Sequence, residues 1–426
     1  MNNGPGYTLQ ENGKPLSVLV EEHAEEASFL WLQRAFAVSA LNYSPKQFAD
    51  LDERLAAHID GLRVAGDEGW KLVEAALDNE GPEDFFIAGV LAIEAQDDKF
   101  DALIARAKEL PEVTPGLMSA LGWASWKFVE GRAKSLLDNA SPLKQKLGIA
   151  AYAMHRQDPG PALERCLASN VDSARIRALR AAGELGRKDV MPQLKAALTE
   201  AKPEVRFWAA WSGMLLGDRG VSLDALTGFA LKTGSRQLQA MQLVLMAMDV
   251  KAGHQLIDQI ANMPDAIRLK IIGSGFIGDP DNVPWLIEQM AQPSLARVAA
   301  EAFVNITGAD FNLDQLEAMP PEGFEEGPSE DPDDENVELP EDVALPWPDH
   351  EKLRQWWTAN QNRFQAGKRY FIGKPITREH CIHVLKEGFQ RQRVLASLHL
   401  SLLQSGTPLF PTSAPAWRQQ RILETL

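Results

Sequence analysis

The sequence predicts an all-α protein, a solenoid of stacked helical hairpins followed by an acidic linker and a small helical C-terminal domain. The main observation is a pattern that recurs in residues 173–308, where a basic residue precedes paired alanines and a glycine closes the segment. The residue that marks the pattern returns after 31, 29, 33, 29 and 29 positions. A period near thirty with a glycine after the first helix is the signature of a helical-hairpin array. The marker positions are Lys146, Arg177, Arg206, Gln239, Arg268 and Arg297.

Composition and charge argue against several classes of protein. The chain has 426 residues, of which 45% are hydrophobic, enough for substantial cores. A net charge of −16 argues against a nucleic-acid-binding surface, because phosphate contacts need clustered Lys and Arg. Cys166 and Cys381 are the only cysteines, so we expect no disulfide framework and a reducing compartment. The start has no export signal and no apolar run could span a bilayer, so a soluble, cytoplasmic protein is expected.

The N-terminal part is predicted to cap the array. Residues 1–26 are polar and contain Gly and Glu, and we expect them to be only partly ordered. From Ala27 apolar side chains recur at helical spacing, Pro45 starts another helix, and Gly66 ends it. Residues 27–80 are therefore predicted to form an N-terminal helical cap, since the first hairpin of a solenoid needs a modified outer face.

The repeat array is predicted to cover residues 81–318, with its clearest units from Leu143 onward. Each unit is too thin to bury its own apolar faces, so neighbouring units must stack to form a continuous core. The pair Trp123 and Trp126 could form a ligand platform. Aromatic residues at helical spacing are more often core anchors, and we interpret the pair in that way.

The recurring arginines allow two interpretations. They could line a groove and bind carboxylates or phosphates, because a guanidinium offers a planar bidentate fork. Alternatively each lies near a helix start and pairs with an acidic or carbonyl group of the adjacent repeat. We favour the structural interpretation, because Asp172, Glu204 and Asp265 lie two to five residues upstream of three of them.

Residues 319–351 are predicted to be an acidic, Pro-rich linker or loop. Between residues 321 and 351 the chain carries thirteen acidic side chains and no Lys or Arg. Such a segment cannot bury enough apolar surface to offset its ordering entropy, so we expect a mobile, solvated spacer. A second hypothesis is that it mimics a polyanion or shields a basic surface.

Residues 352–426 are predicted to form a basic, aromatic, helical C-terminal domain. This segment carries twelve Lys or Arg against three acids. The charge segregation favours two alternatives, a tail that folds back onto the acidic array or one that meets an acidic partner. We expect a protein partner to bind the concave inner helices of the array together with this tail. The predicted partner-binding residues are Arg369, Arg391, Arg393, Trp356, Trp357 and Trp417.

The aromatic members of that set have an alternative role. Trp356 and Trp357 could instead fill a small core within the tail itself. The oligomeric state and the stoichiometry of any complex do not follow from the sequence.

No catalytic, cofactor-binding or metal site is predicted. His380 and His383 are spaced i and i+3, which on a helix can share one face and hold a metal. A zinc site needs further ligands, and only His350 or His399 could add an imidazole, so we interpret the pair as helix surface residues flanking a buried Cys381. Nucleophile-elbow, Walker, dinucleotide-binding and His-Glu-x-x-His patterns do not occur. We therefore expect a protein that is not an enzyme and has no cofactor.

Three stretches together carry a resemblance. They are residues 51–66, residues 356–364 with 367–375, and residues 388–393 with 408–410 and 414–419. With these stretches, the chain resembles an uncharacterised family of proteobacterial HEAT-repeat proteins often encoded beside type VI secretion tip and effector genes. The resemblance extends from about Phe29 to the C-terminus, and the acidic insertion is also typical of that family. It implies HEAT-like hairpins and carries over no catalytic residues.

The resemblance implies a non-catalytic protein-binding solenoid. Its implied role is that of an adaptor or chaperone that holds a secreted effector, toxin or spike component in the producing cell. The alternatives are a cognate immunity protein that neutralises a toxin and a general scaffold. An enzyme of lyase type is the most distant alternative.

Overall fold

The chain folds almost entirely into α-helices, most of which pack against the helix that follows. This computed structural model describes residues 10–11, 14–15, 17–263, 266–322, 324 and 342–426. The predicted fold class, an all-α solenoid of HEAT-like helical hairpins, is confirmed by the order and pairing of these helices. The chain divides into two compact units.

The first unit comprises residues 1–39, 43–197 and 406–426. Two short antiparallel strands, β1 and β2, precede its helices, and helices α4, α6, α8 and α10 pack on one another in order. The strands are β1 Gln10–Glu11 and β2 Lys14–Pro15. The helices are α1 Ser17–Ala37, α2 Pro45–Val64, α3 Asp67–Ala76, α4 Pro82–Ala95, α5 Lys99–Glu109, α6 Thr114–Trp123, α7 Trp126–Leu137, α8 Pro142–Met154, α9 Pro161–Leu167, α10 Asp172–Glu184 and α11 Met191–Ala197.

The second unit comprises residues 40–42 and 198–405. Its helices α12, α14, α16 and α18 form the corresponding stack, and the antiparallel strands β3 and β4 follow the acidic segment. The helices are α12 Pro203–Leu215, α13 Val221–Ala230, α14 Gln237–Ala247, α15 Val250–Ile260, α16 Ala266–Ile277, α17 Val283–Gln289, α18 Pro293–Thr307, α19 His350–Asn360, α20 Arg378–Glu387 and α21 Gln390–Leu403. The strands are β3 Tyr370–Phe371 and β4 Lys374–Pro375. The last helix, α22 Ala416–Leu423, belongs to the first unit.

Local sequence explains where the helices begin and end. Many start with proline in the first turn, where its missing N–H costs no hydrogen bond. At α2, Ser44 and Gln47 also form a reciprocal capping box. Gly186 ends the α10 segment at φ 71° and Gly308 follows α18 at φ 66°, a left-handed conformation that glycine adopts without strain.

Large aromatic side chains fill the core of the first unit. Phe85, Phe86 and Phe100 are fully buried, and Trp123 belongs to the same apolar cluster. Trp126 is half-buried and packs against it, with its ring 5.1 Å from that of Tyr152. The structure therefore agrees with the core-anchor interpretation of the tryptophan pair.

Several segment boundaries differ from the expected ones. Helix α1 begins at Ser17, so the last ten residues of the segment expected to be partly ordered are helical. The acidic stretch 325–341 lies outside the described residues, and its expected mobility stays a prediction. The C-terminal segment is not a compact unit of its own, because residues 352–405 cluster with the second unit and 406–426 with the first. The other predicted boundaries stay predictions. Within the described ranges, no helix has both the length and the apolar character needed to cross a membrane.

Candidate binding surface

The clearest binding geometry in the second unit lies at two of the recurring arginines. Arg268, in the first turn of α16, donates hydrogen bonds of 2.8 and 2.6 Å to the two carboxylate oxygens of Asp342. Asp342 is only 4% exposed, although it comes at the end of a stretch rich in acidic residues. A bidentate guanidinium–carboxylate pair is a strong and directional contact. The array therefore binds a segment that lies 74 residues further along the chain.

The next marker residue binds the same segment through an aromatic ring. The Arg297 guanidinium lies 4.9 Å from the centroid of the Trp347 ring, a cation–π contact. Trp347 in turn packs edge-on against Phe324 at 5.2 Å. One turn after Arg297, Glu301 accepts hydrogen bonds of 2.9 and 3.1 Å from Arg391. Burial raises the pKa of Glu301 despite this pairing.

In the first unit, the charge of the equivalent marker residue, Arg177, is neutralised by a glutamate on the same helix. Arg177 lies 2.9 Å from Glu184, two turns further along α10, and Arg180 pairs with the other carboxylate oxygen at 2.8 Å. Burial alone would raise the pKa of Glu184, but the neighbouring guanidinium groups outweigh it and hold the pKa at about 2. Burial and the charge of Arg177 also lower the pKa of Lys146. Arg177 and Arg180 are both paired with Glu184 on the same helix, so we do not include this cluster in the proposed binding surface.

Arg206, at the start of α12, also has partners within the chain. Its guanidinium donates to the carbonyl oxygens of Glu200 and Ala201, both at 2.7 Å. Among the upstream acids expected as partners, Glu204 pairs with Arg236 at 2.8 Å, and Asp265 lies outside the described residues. At Arg177 in the first unit and Arg206 in the second, the marker arginines thus contact groups close to them in the chain, whereas Arg268 and Arg297 bind residues 342–347, which we call the acidic–aromatic segment.

The C-terminal segment contacts main-chain carbonyl groups at helix ends of the second unit. Arg369 donates to the carbonyl oxygens of Leu245, Met246 and Met248, each at 2.7 Å, and so caps the end of α14. Carbonyl groups in the last turn of a helix lack intrahelical partners, and a guanidinium there satisfies them and complements the helix dipole. Burial lowers the pKa of Arg369 to about 10.

Residues that follow Arg369 continue this capping. The backbone N–H of Tyr370 donates to the carbonyl oxygen of Gly278 at 2.8 Å, just beyond α16. In the last turn of α18, the N–H of Ile372 donates to the carbonyl of Asn305 at 2.7 Å and the N–H of Gly373 to that of Ile306 at 3.1 Å. Ile372 has φ 45°, an unusual value for a β-branched residue. Within positions 369–373 the tail therefore caps the ends of three helices of the stack, α14, α16 and α18.

The glycine that ends α16 is part of this contact. A Cβ at Gly278 would overlap the carbonyl oxygen of Tyr370. The same is true in the first unit, where a Cβ at Gly186 would overlap the carbonyl oxygen of Gly406. The recurring glycine thus has two functions, since it ends the helix and lets the tail backbone approach.

The remaining predicted arginines have partners inside the second unit. Arg391 pairs with Glu301, and its backbone N–H donates to the carbonyl of Ala40 at 3.2 Å. Arg393 is 2% exposed, donates to the carbonyl of Leu385 at 2.7 Å and also bonds Gln390. Burial lowers the pKa of Arg393 to about 10. Because its guanidinium lies in the interior, we leave Arg393 out of any proposed surface.

The predicted tryptophans pack against the cores of the two units, and Trp357 also contacts an aromatic residue of the tail itself. Trp356 lies 5.6 Å from Phe303 of α18 and Trp357 lies 5.4 Å from Phe364, and both flank the core of the second unit. Trp417 contacts Trp123 edge-on at 4.7 Å within the first unit. All three stay half-buried, and a role in partner binding stays a prediction for them.

A polar network in the first unit anchors the end of the chain. Asp52 accepts hydrogen bonds from the side chain of Arg34 and from the backbone N–H of Ala416, both at 2.6 Å. Arg34 also donates to the carbonyl of Ser413 at 3.1 Å. Arg418 donates to the carbonyl of Gly122 at 2.8 Å, at the end of α6. Sequence reasoning missed this network, because nothing in the sequence marks Asp52 among many exposed acids.

The histidine pair has roles other than a shared metal-binding face. The Nε2–H of His380 donates to the carbonyl of Phe371 at 2.7 Å, and burial lowers the pKa of His380. The rings of His380 and His383 lie 6.3 Å apart. His399 packs on Phe371, and burial lowers its pKa to about 3. Among the residues that the structure describes, no three His, Cys, Asp or Glu side chains gather as a metal site.

Comparison with known proteins agrees with the repeat architecture. Residues 160–245 match the family model for HEAT repeats. HEAT repeats commonly mediate protein–protein interactions, and their fold is typically non-catalytic. A crystal structure of an engineered protein matches 68% of this chain and 94% of its own, with 14% identity and a TM-score of 0.32. A likeness at that level says nothing further about this chain. No match to this chain was found among curated proteins.

Proposed function

We propose that this chain is a non-catalytic, protein-binding adaptor or chaperone that acts in the cytoplasm of the producing cell. Its client would be a type VI secretion effector, toxin or spike component. The match to HEAT repeats supports a protein-interaction scaffold. The choice of client rests on the resemblance to a family encoded beside such genes, carried by residues 51–66, by 356–364 with 367–375, and by 388–393 with 408–410 and 414–419.

The observation that supports binding most directly is the contact of Arg268 and Arg297 with the acidic–aromatic segment. Arg268 binds the carboxylate of Asp342 and Arg297 binds the indole ring of Trp347, which lies five positions after Asp342. A client peptide with an acidic residue and an aromatic residue at similar spacing fits the same pair of arginines. The chain's own segment then acts as an intramolecular competitor, which lowers apparent affinity until it is displaced.

A peptide-binding experiment tests this chemistry. The probe is a labelled synthetic peptide of residues 340–350, offered to the full chain and to variants in fluorescence anisotropy. The double variant Asp342→Ala/Trp347→Ala should bind the probe in trans, because its arginines are freed, and the parent chain should bind it at least about tenfold more weakly. Adding Arg268→Ala and Arg297→Ala to that variant should abolish binding.

Two outcomes would count against the proposal. Equal binding with and without the two arginines would remove them from the binding surface. Binding by the parent chain as tight as by the freed variant would show that the segment does not compete. Arg354→Ala serves as a control, because Arg354 is exposed and its guanidinium pairs with an exposed glutamate, Glu351, on the same helix, α19.

A cellular experiment tests the adaptor role itself. Deleting the gene in the producing cell should abolish delivery of one effector while the producer stays healthy. A producer that instead intoxicates itself or its siblings would identify an immunity protein. Delivery and health that are both unchanged would contradict both roles and favour a general scaffold.

A further inference from the structure

The first helix of the first unit is apolar on two opposite faces. One face of α1 packs against α2 and α4 and buries Leu30 and Trp31. The opposite face exposes Val18, Phe29, Leu32 and Phe36, whose exposed fractions are 71%, 59%, 47% and 53%. Terminal helices of a stacked array need a polar outer face to stay in water. This outer face is therefore unusual for an end cap.

The exposed residues follow a heptad pattern. Starting from Val18, the side chains on this face are spaced by alternating steps of four and three residues, which is the a/d spacing of a coiled-coil seam. Such residues lie on one line along a helix and interdigitate with a second helix laid against it. We call this line the α1 seam, and it consists of Val18, Glu22, Glu25, Phe29, Leu32 and Phe36.

The α1 seam has an acidic half and an aromatic half. Glu22 and Glu25 are exposed and occupy the two positions between Val18 and Phe29. A helix that covers the aromatic half buries apolar surface, the main source of affinity in such contacts. The same helix must bring Lys or Arg to the acidic half, because carboxylates without a partner at a helix interface are costly.

A second copy of this chain fits the α1 seam poorly. In a parallel pair, Glu22 and Glu25 would face their own copies and repel each other. In an antiparallel pair centred between Glu25 and Phe29, each carboxylate would be buried against Leu32 or Phe29 of the other helix. Both arrangements desolvate charge without pairing it.

We propose that the α1 seam is a docking surface for a basic amphipathic helix of a partner protein. The partner helix places aliphatic side chains against Phe29, Leu32 and Phe36 and places Lys or Arg beside Glu22 and Glu25. This surface belongs to the first unit, whereas Arg268 and Arg297 belong to the second, so it does not depend on the adaptor function proposed above.

A charge-swap binding experiment tests the proposal on the full chain. The probe is a labelled 21-residue helical peptide with Leu at its a and d positions, except for Lys where it faces Glu22 and Glu25. A matched peptide carries Glu in place of those lysines. We expect the Lys peptide to bind and the Glu peptide to bind at least about tenfold more weakly.

Two sets of variants then test the two halves of the seam. Phe29→Ser/Phe36→Ser should weaken binding of the Lys peptide at least about tenfold, through loss of apolar burial. Glu22→Lys/Glu25→Lys should reverse the preference, so that the Glu peptide binds more tightly. Such a reversal cannot arise from unfolding. Val64→Ser, an exposed apolar residue at the end of α2, should leave binding unchanged.

Three results would overturn the proposal. Binding that survives the Phe29→Ser/Phe36→Ser change, or a preference that does not reverse, would separate the peptide from the seam. A dimer in analytical ultracentrifugation that the same double change dissolves would assign the seam to a second copy. Peptide binding that appears only after removal of residues 1–16 would assign it to that segment of the chain.

Discussion

Arg177 and Arg268 occupy equivalent positions in their repeats but obtain their carboxylates from different places. Arg177 pairs with Glu184 on its own helix, whereas Arg268 pairs with Asp342 from a distant part of the chain. Both pairs bury the acid almost completely. The arginine at this repeat position therefore stabilises its own helix in the first unit and binds a distant segment of the chain in the second.

The largest expected effect comes from breaking the local pair. Glu184→Ala leaves Arg177 buried without its carboxylate, which Arg180 shares, and should lower the free energy of unfolding by about 3–5 kcal/mol. Urea denaturation of the full chain measures this. The matched control is Asp138→Ala, which removes an exposed pair with Arg165 and should cost at most about 1 kcal/mol. A loss at Glu184 no larger than at Asp138 would contradict the interpretation of the cluster.

Acidification should change the free energy of unfolding in opposite directions through Glu184 in the first unit and Glu301 in the second. The folded pKa of Glu184, about 2, lies below its unfolded value of 4.5. Its contribution is therefore fully present above about pH 4.5 and is lost as pH falls toward 2, by roughly 3 kcal/mol. The folded pKa of Glu301 is raised, so its ionisation costs stability at neutral pH, and acidification toward 4.5 relieves that cost.

Urea titrations across a pH series measure these opposite slopes. Glu184→Gln should flatten the loss on the acid side, because the glutamine does not titrate. Glu301→Gln should flatten the gain between neutral pH and pH 4.5. Slopes that neither substitution changes would assign the pH dependence to other groups.

A smaller effect is expected from weakening the contact between residues 369–373 and the helix ends of the second unit. Gly278→Ala places a methyl group against the carbonyl of Tyr370 at a φ of 73°, and should cost about 1–3 kcal/mol. Amide hydrogen exchange at Tyr370 and Ile372 should quicken, since their capping bonds weaken. Gly228→Ala in α13 is the control, because its Cβ meets open space, and it should be neutral or stabilising by up to about 1 kcal/mol. Unchanged exchange in Gly278→Ala would show that the tail does not depend on this approach.

Much of the fold followed from periodicity, and much of the binding surface did not. A period near thirty with a glycine after each first helix predicted the hairpins, because thin repeats can bury their apolar faces only by stacking. The pairing of Arg177 with Glu184 was accessible in principle, since a spacing of seven places both on one face of α10. The choice of Asp342 for Arg268 was not, because thirteen acids in residues 321–351 look alike in sequence.

The course of the tail was also beyond sequence reasoning. Tyr370 and Ile372 bind helix ends through backbone N–H groups, which any residue could supply. Arg369 and Arg393 were predicted as partner-binding residues, but their acceptors in the structure are main-chain carbonyl groups, which carry no sequence signal. The recurring glycine was the one clue in the sequence. Its role in letting the tail backbone approach the helix end is visible only in the structure.

The capping of α14, α16 and α18 by residues 369–373 affects the order in which the second unit matures on the ribosome. In most repeat arrays a hairpin is complete once its immediate neighbour is made. Here the ends of three helices wait for a segment synthesised more than sixty residues after the last of them, so their carbonyl groups stay bonded to water until that segment is made. Premature termination before Arg369 would leave all three helices frayed at the same edge.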